Sequence, residues 1–155
     1  MTPRQDVQKT RVYAWEDEAV ASIDRSIVPF SAAQGMVDAI WSELRLHYPP
    51  KVVRLPRQSR RLKADGSRLQ LRLPETIPSW LLLHELAHAL SSAQDGLSDG
   101  HGPDFMGLYV QLLDRYLRLP AAGLVRSATK AGIAIHPDAR PMFLDAAAAR
   151  PLHAP

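Results

Sequence analysis

The chain has 155 residues, 46% of them hydrophobic and 23% charged, which suits one soluble domain with a sizeable core better than two. It contains no cysteine, so a disulfide framework, a thiol nucleophile and every cysteine-ligated zinc ribbon are excluded. The net charge of +3 is uneven, because between residues 51 and 72 eight basic side chains meet one acid, Asp65, leaving the remainder net acidic. The first twenty residues hold no apolar core of signal-peptide length, and no 18-residue apolar run occurs. A soluble, cytoplasmic protein with no membrane partner is therefore expected.

In chain order, DVQKTRVYAWEDEAVASID predicts a first helix with Val12, Trp15, Ala19 and Ile23 near helical spacing. Pro29 ends it. SAAQGMVDAIWSELRLHY predicts a second, with Ser31 and Gln34 in capping-box positions and Ala33, Val37, Ile40, Leu44 and Tyr48 on one stripe. After Pro49 and Pro50, KVVRL has strand character, and SRRLKADGSRLQLRL predicts a hairpin turning at Asp65-Gly66. In its second arm Leu69, Leu71 and Leu73 should face the core, with Arg68, Gln70 and Arg72 outward. A buried helix from about Pro78 to Gln94 follows, then a loop broken by Gly96, Gly100 and Gly102. Pro103 suits a first helical position, and DFMGLYVQLLDRYLRL is an amphipathic helix stopped by Pro120. A short helix through LVRSATKA stops at Gly132. The expectation is an α+β fold: one domain over residues 1–135, then a loose Pro/Ala-rich tail over 136–155.

Within the buried helix, WLLLHELAHAL carries three titratable side chains, His84, Glu85 and His88, among leucines and alanines. Burying them is costly unless each has a partner. His84 and His88 are four apart, so their rings leave one helix face a turn apart and can converge on one metal ion. Glu85 is swung about 100° round the helix, so it reaches a water on that ion more readily than the ion itself. This is the His-Glu-x-x-His arrangement of zinc hydrolases, with the glutamate as general base. Catalytic zinc needs a third protein ligand and an open position. Glu85 is the last glutamate in the chain, so a later glutamate ligand is excluded. QDGLSDGHGPDF offers His101 between two glycines as the preferred ligand, with Asp95, Asp99 and Asp104 as alternatives. If His101 is the ligand, Asp99 is free to accept a ring N–H from a ligand histidine. Tyr109 is a core aromatic by default and an oxyanion donor as the alternative.

HELAH followed by GHGPDF resembles the SprT-like (Spartan-type) zinc metallopeptidases, in which a third histidine opens a His-Gly-x-x-Phe segment. The opening QKTRVYAWE and the short cysteine-free length also resemble a family of short bacterial metallohydrolases. The specific likeness spans about residues 80 to 110. It implies His84, His88 and His101 as zinc ligands, Glu85 as catalytic base and Phe105 as a packing residue. It also implies a minimal zincin-like fold, a small antiparallel or mixed sheet on the His-Glu-x-x-His helix with helices before and after. A peptide or protein substrate would lie along an edge strand.

Two functions follow as expectations. The first is a zinc-dependent hydrolase, a metallopeptidase, with Glu85 activating a zinc-bound water. The alternative is a non-catalytic module with structural zinc, whose basic hairpin 51–72 meets nucleic acid or an acidic partner through Arg54, Arg60, Arg68 and Arg72. That hairpin has no Phe, Tyr or Trp on which single-stranded bases would stack.

Overall fold

The structure, a computed structural model, describes residues 6–56, 64–93 and 95–142. It is α+β, as expected. Five α-helices are α1 (Lys9–Glu16), α2 (Phe30–Glu43), α3 (Ser79–Leu90), α4 (Pro103–Leu117) and α5 (Ala121–Lys130). Five short strands are β1 (Ile27–Pro29), β2 (Lys51–Arg54), β3 (Asp65–Gly66), β4 (Gln70–Leu73) and β5 (Thr76–Pro78). No helix among the described residues is long and apolar enough to cross a membrane.

α1 does not run on to residue 24. A π-helical turn over Asp17–Ala21 widens the chain there, and a wider turn delays every later side chain by part of a residue. Val12 and Trp15 keep their buried positions, Val20 takes the next one, and Ile23 is left exposed. The Trp15 indole N–H donates to Ser127 Oγ on α5 at 2.8 Å, fixing how the two helices meet.

β1 and β5 pair antiparallel, with Val28 opposite Ile77. Both end in a proline in extended conformation and lead directly into a helix. The ribbon caps both helices reciprocally. Phe30 N donates to Glu75 O at 2.8 Å, and Ser79 N donates to Ser26 O at 2.9 Å. Each supplies one of the partners that free N–H groups at a helix start require. The expected capping box at Ser31 and Gln34 is therefore not formed. Gln34 instead accepts from Val52 N at 2.7 Å and donates to Pro50 O at 3.1 Å, tying β2 to α2. α2 also stops earlier than its stripe predicts. Arg45 and Tyr48 take positive φ of 60°, which turns the Tyr48 ring out into solvent.

The second sheet has the order β2-β4-β3, parallel between β2 and β4 and antiparallel between β4 and β3. Leu71 and Leu73 are fully buried, as the alternation requires. The hairpin differs in its turn. Asp65 and Gly66 are paired strand residues opposite Arg72 and Leu71, and the reversal occurs over Ser67–Leu69, closed by Ser67 N donating to Gln70 O. Arg68 and Leu69 thus stand outside the alternation. Leu69 is exposed and Arg68 is buried, the reverse of expectation. β3 passes so close to α3 that a Cβ at Gly66 would sit 2.5 Å from the Glu85 carbonyl oxygen, so only glycine fits there.

α3 and α4 form the centre of the core, with Leu82, Leu83, Leu86 and Leu90 against Phe105, Met106, Leu112 and Leu113, all buried. Pro103 opens α4 at its first turn, and Arg118 ends it in left-handed conformation before Pro120. The first residues of the tail expected to be loose from His136 are instead bonded to the core. His136 N donates to Pro103 O at 3.0 Å, Gln111 Nε2 donates to Pro137 O and Ala139 O, and Met142 N donates to Leu90 O. These bonds satisfy backbone groups of 136–142 that no regular element would. The final residues, 143–155, lie outside the described region.

Candidate metal centre

α3 places His84 and His88 on the face turned toward α4, and the loop before α4 brings back His101. One ring nitrogen from each lies within 4.8 Å of the other two. The three residues expected as ligands thus converge.

Their protonation is set from behind. His84 Nδ1 lies 2.6 Å from Glu16 Oε2, and His101 Nδ1 lies 2.6 Å from Asp6 Oδ2. A carboxylate accepts, so each Nδ1 carries its proton and each Nε2 of the neutral ring carries a lone pair. The two Nε2 atoms face each other at 3.3 Å. Two lone pairs at that distance repel unless something electron-poor lies between them. On a tetrahedral ion with bonds of about 2.0–2.1 Å, two ligand nitrogens are about 3.3 Å apart. The donor set therefore fits a metal ion.

His88 is held differently. Its ring stacks on Phe105, with centroids 4.4 Å apart and 26° between planes. Phe105 also touches the His84 and His101 rings edge-on at 5.0 and 4.9 Å, so it forms an apolar floor under all three. Burial and the neighbouring histidines push His88 well below its ordinary pKa. Burial likewise lowers His101, with the Asp6 bond opposing it. At His84 burial also acts to lower, but the Glu16 bond and charge outweigh it and the pKa is raised.

Glu85 follows His84 directly on α3, near enough for their charges to interact. It is 5% exposed and has no hydrogen-bond donor among the described residues. Burial raises its pKa to about 7, with His84 opposing and Asp65 and Glu16 reinforcing. A carboxyl group poised near neutrality is suited to taking and returning a proton.

The alternative ligands are engaged elsewhere. Asp99 accepts from Asp104 N at 2.7 Å and Phe105 N at 3.3 Å, capping α4. It does not serve a ligand histidine, because Asp6 already fills that place. Asp104 is bonded to His136, and Asp95 accepts from Leu97 N. Tyr109 is fully buried and donates to Glu16 at 2.6 Å, so it is the core aromatic and not an oxyanion donor.

Asp6 and Glu16 were not foreseen. Glu16 had a signal, since it lies four residues after Val12 on the apolar face of its helix, where an unpartnered acid is costly. Asp6 had none. Gly100, at φ +65°, leaves room for it, since a Cβ there would meet the Asp6 carboxylate at 2.8 Å. Asp6 Oδ1 also accepts from His101 N at 3.1 Å, and Gln8 Nε2 donates to His101 O at 3.0 Å. Residues just before α1 thereby hold the ring and both backbone groups of His101.

Among its described residues, the basic region gives no comparable convergence. Arg68 is 3% exposed, over the Trp41 ring, and donates to Tyr48 O and His47 O. Its outward placement is corrected by the shifted turn. Arg72 pairs with Asp65, and Arg54 pairs with Glu75. Arg60 lies outside the described residues. Comparison of the chain with family models, with curated proteins and with solved structures gives no match.

Proposed function

We propose that the protein is a zinc-dependent hydrolase, a metallopeptidase of the SprT-like kind, with His84, His88 and His101 as ligands and Glu85 as general base. One observation carries this reading. Three histidine nitrogens converge with no fourth protein ligand among the described residues, beside a buried carboxyl group that has no donor of its own. Structural zinc sites are closed by four protein ligands, whereas catalytic ones keep a position open.

A zinc ion held there supplies a Lewis acid that acidifies water and polarises a carbonyl group. Glu85 takes a proton from the attacking water and returns it to the leaving amine. Asp6 and Glu16 fix the tautomer and direction of two ligand rings, and Phe105 keeps the cluster's inner side dry. Peptide rather than phosphate chemistry is favoured because, among the described residues of the basic region, Arg54, Arg68 and Arg72 are already engaged by partners within the chain.

The test is elemental analysis of chelator-free protein, together with hydrolysis of a fluorogenic casein by wild type and Glu85→Gln. One zinc per chain is expected in both, with hydrolysis at least about 10²-fold lower in the variant. A chain that refuses zinc, or equal turnover by the two proteins, refutes the proposal.

A further inference from the structure

Two tyrosines border the histidine cluster, and they differ in what their hydroxyls do. Tyr109 is fully buried and its hydroxyl is committed to Glu16. Tyr13 is 42% exposed, and its hydroxyl makes no hydrogen bond among the described residues. Its ring lies roughly parallel to His84, at 6.1 Å and 24°, and edge-on to His101 at 5.1 Å. Tyr13 and Glu16 are three apart on α1, so one helix reaches the cluster twice. Glu16 is buried beside His84, whereas Tyr13 is partly exposed to solvent.

We propose that Tyr13 is a catalytic residue whose hydroxyl donates a hydrogen bond to the oxyanion that develops on the substrate carbonyl oxygen. The proposal presupposes the hydrolase activity above. No additional covalent step is involved. The water oxygen bonds to the carbonyl carbon, the C=O π pair moves onto oxygen as charge, and the phenol keeps its own proton throughout. A phenol is ordinarily a proton-bearing donor at neutral pH. An uncommitted donor held by packing against two ligand rings is preorganised for a charge that appears only during reaction.

The test uses the full chain loaded with cobalt(II), whose visible absorption reports ligands entering the site. Methylphosphonate serves as a tetrahedral oxyanion and azide as a small control ligand. Tyr13→Phe keeps the ring that touches His84 and His101 and removes only the donor. Its cobalt affinity and azide binding should stay within about twofold of wild type, while methylphosphonate binds about 10-fold more weakly. Equal methylphosphonate affinity in the two proteins overturns the proposal, as does failure of the loaded wild type to bind methylphosphonate. Loss of cobalt from Tyr13→Phe also overturns it, since the hydroxyl would then support the metal site itself. Wild-type protein that takes up no cobalt instead refutes the hydrolase reading on which this one rests.

Discussion

His84 and His101 are both backed by a carboxylate 2.6 Å from Nδ1, yet at different depths. The first pair joins two helices in the core, its side chains 3% and 5% exposed, and shares its acceptor oxygen with Tyr109. The second joins two loop segments, and its Asp6 side chain is 28% exposed. The same hydrogen bond thus does different work. At His84 it compensates burial of a polar triad that would otherwise destabilise the core. At His101 it orients a ring on a loop that water partly reaches. Protein stability should depend on the first pair and metal retention on both.

The largest effect expected is loss of a ligand. His84→Ala and His101→Ala should each weaken zinc by more than the ~10–100-fold typical of outer partners, read by competitive titration with a chromophoric chelator. Retention of tight zinc by His101→Ala would remove the loop from the site. Next comes Glu16→Ala, which strips the acceptor from both His84 and Tyr109. It should lower metal-free stability by about 2–5 kcal/mol in urea denaturation, as loss of a buried hydrogen-bonded partner does. Asp6→Asn should leave metal-free stability within about 1 kcal/mol while weakening zinc about 10-fold. Similar stability losses in these two variants would erase the distinction between deep and shallow partners.

Smaller again are the pH effects in metal-free protein, where the two histidines have opposite signs. The raised pKa of His84 contributes stability present below the unfolded value and lost as pH rises through the folded one. The lowered pKa of His101 contributes stability present above the unfolded value and lost as pH falls toward the folded one. An NMR titration should show His84 protonating first as pH falls. The reverse order would contradict the assigned roles of Glu16 and Asp6.

How far this was legible in the sequence depended on distance along the chain. His84, Glu85 and His88 sit on one helix, where spacing alone determines their faces. His101 was legible because only a loop separates it from them. Asp6 reaches His101 across 95 residues, and no local pattern encodes that contact. Periodicity also failed wherever a local irregularity changed the count. The π-helical turn displaced Ile23, and the positive φ at Arg45 and Tyr48 ended the α2 stripe early. Arg68 illustrates the same effect in a strand. A hairpin reversal two residues later than Asp-Gly predicts took it out of the pleat and into contact with two carbonyl groups. In each case a local change of backbone geometry shifted the count that simple periodicity assumes.

Gln8 makes one further contact with a consequence in time. While donating to His101 O, it exchanges hydrogen bonds with Ala134, whose N–H it accepts at 2.7 Å across 126 residues. On a ribosome, synthesis reaches residue 134 last among those that meet at this ligand. A chain that stops short of residue 134 carries the His-Glu-x-x-His segment without the Ala134 bonds that steady Gln8 beside His101.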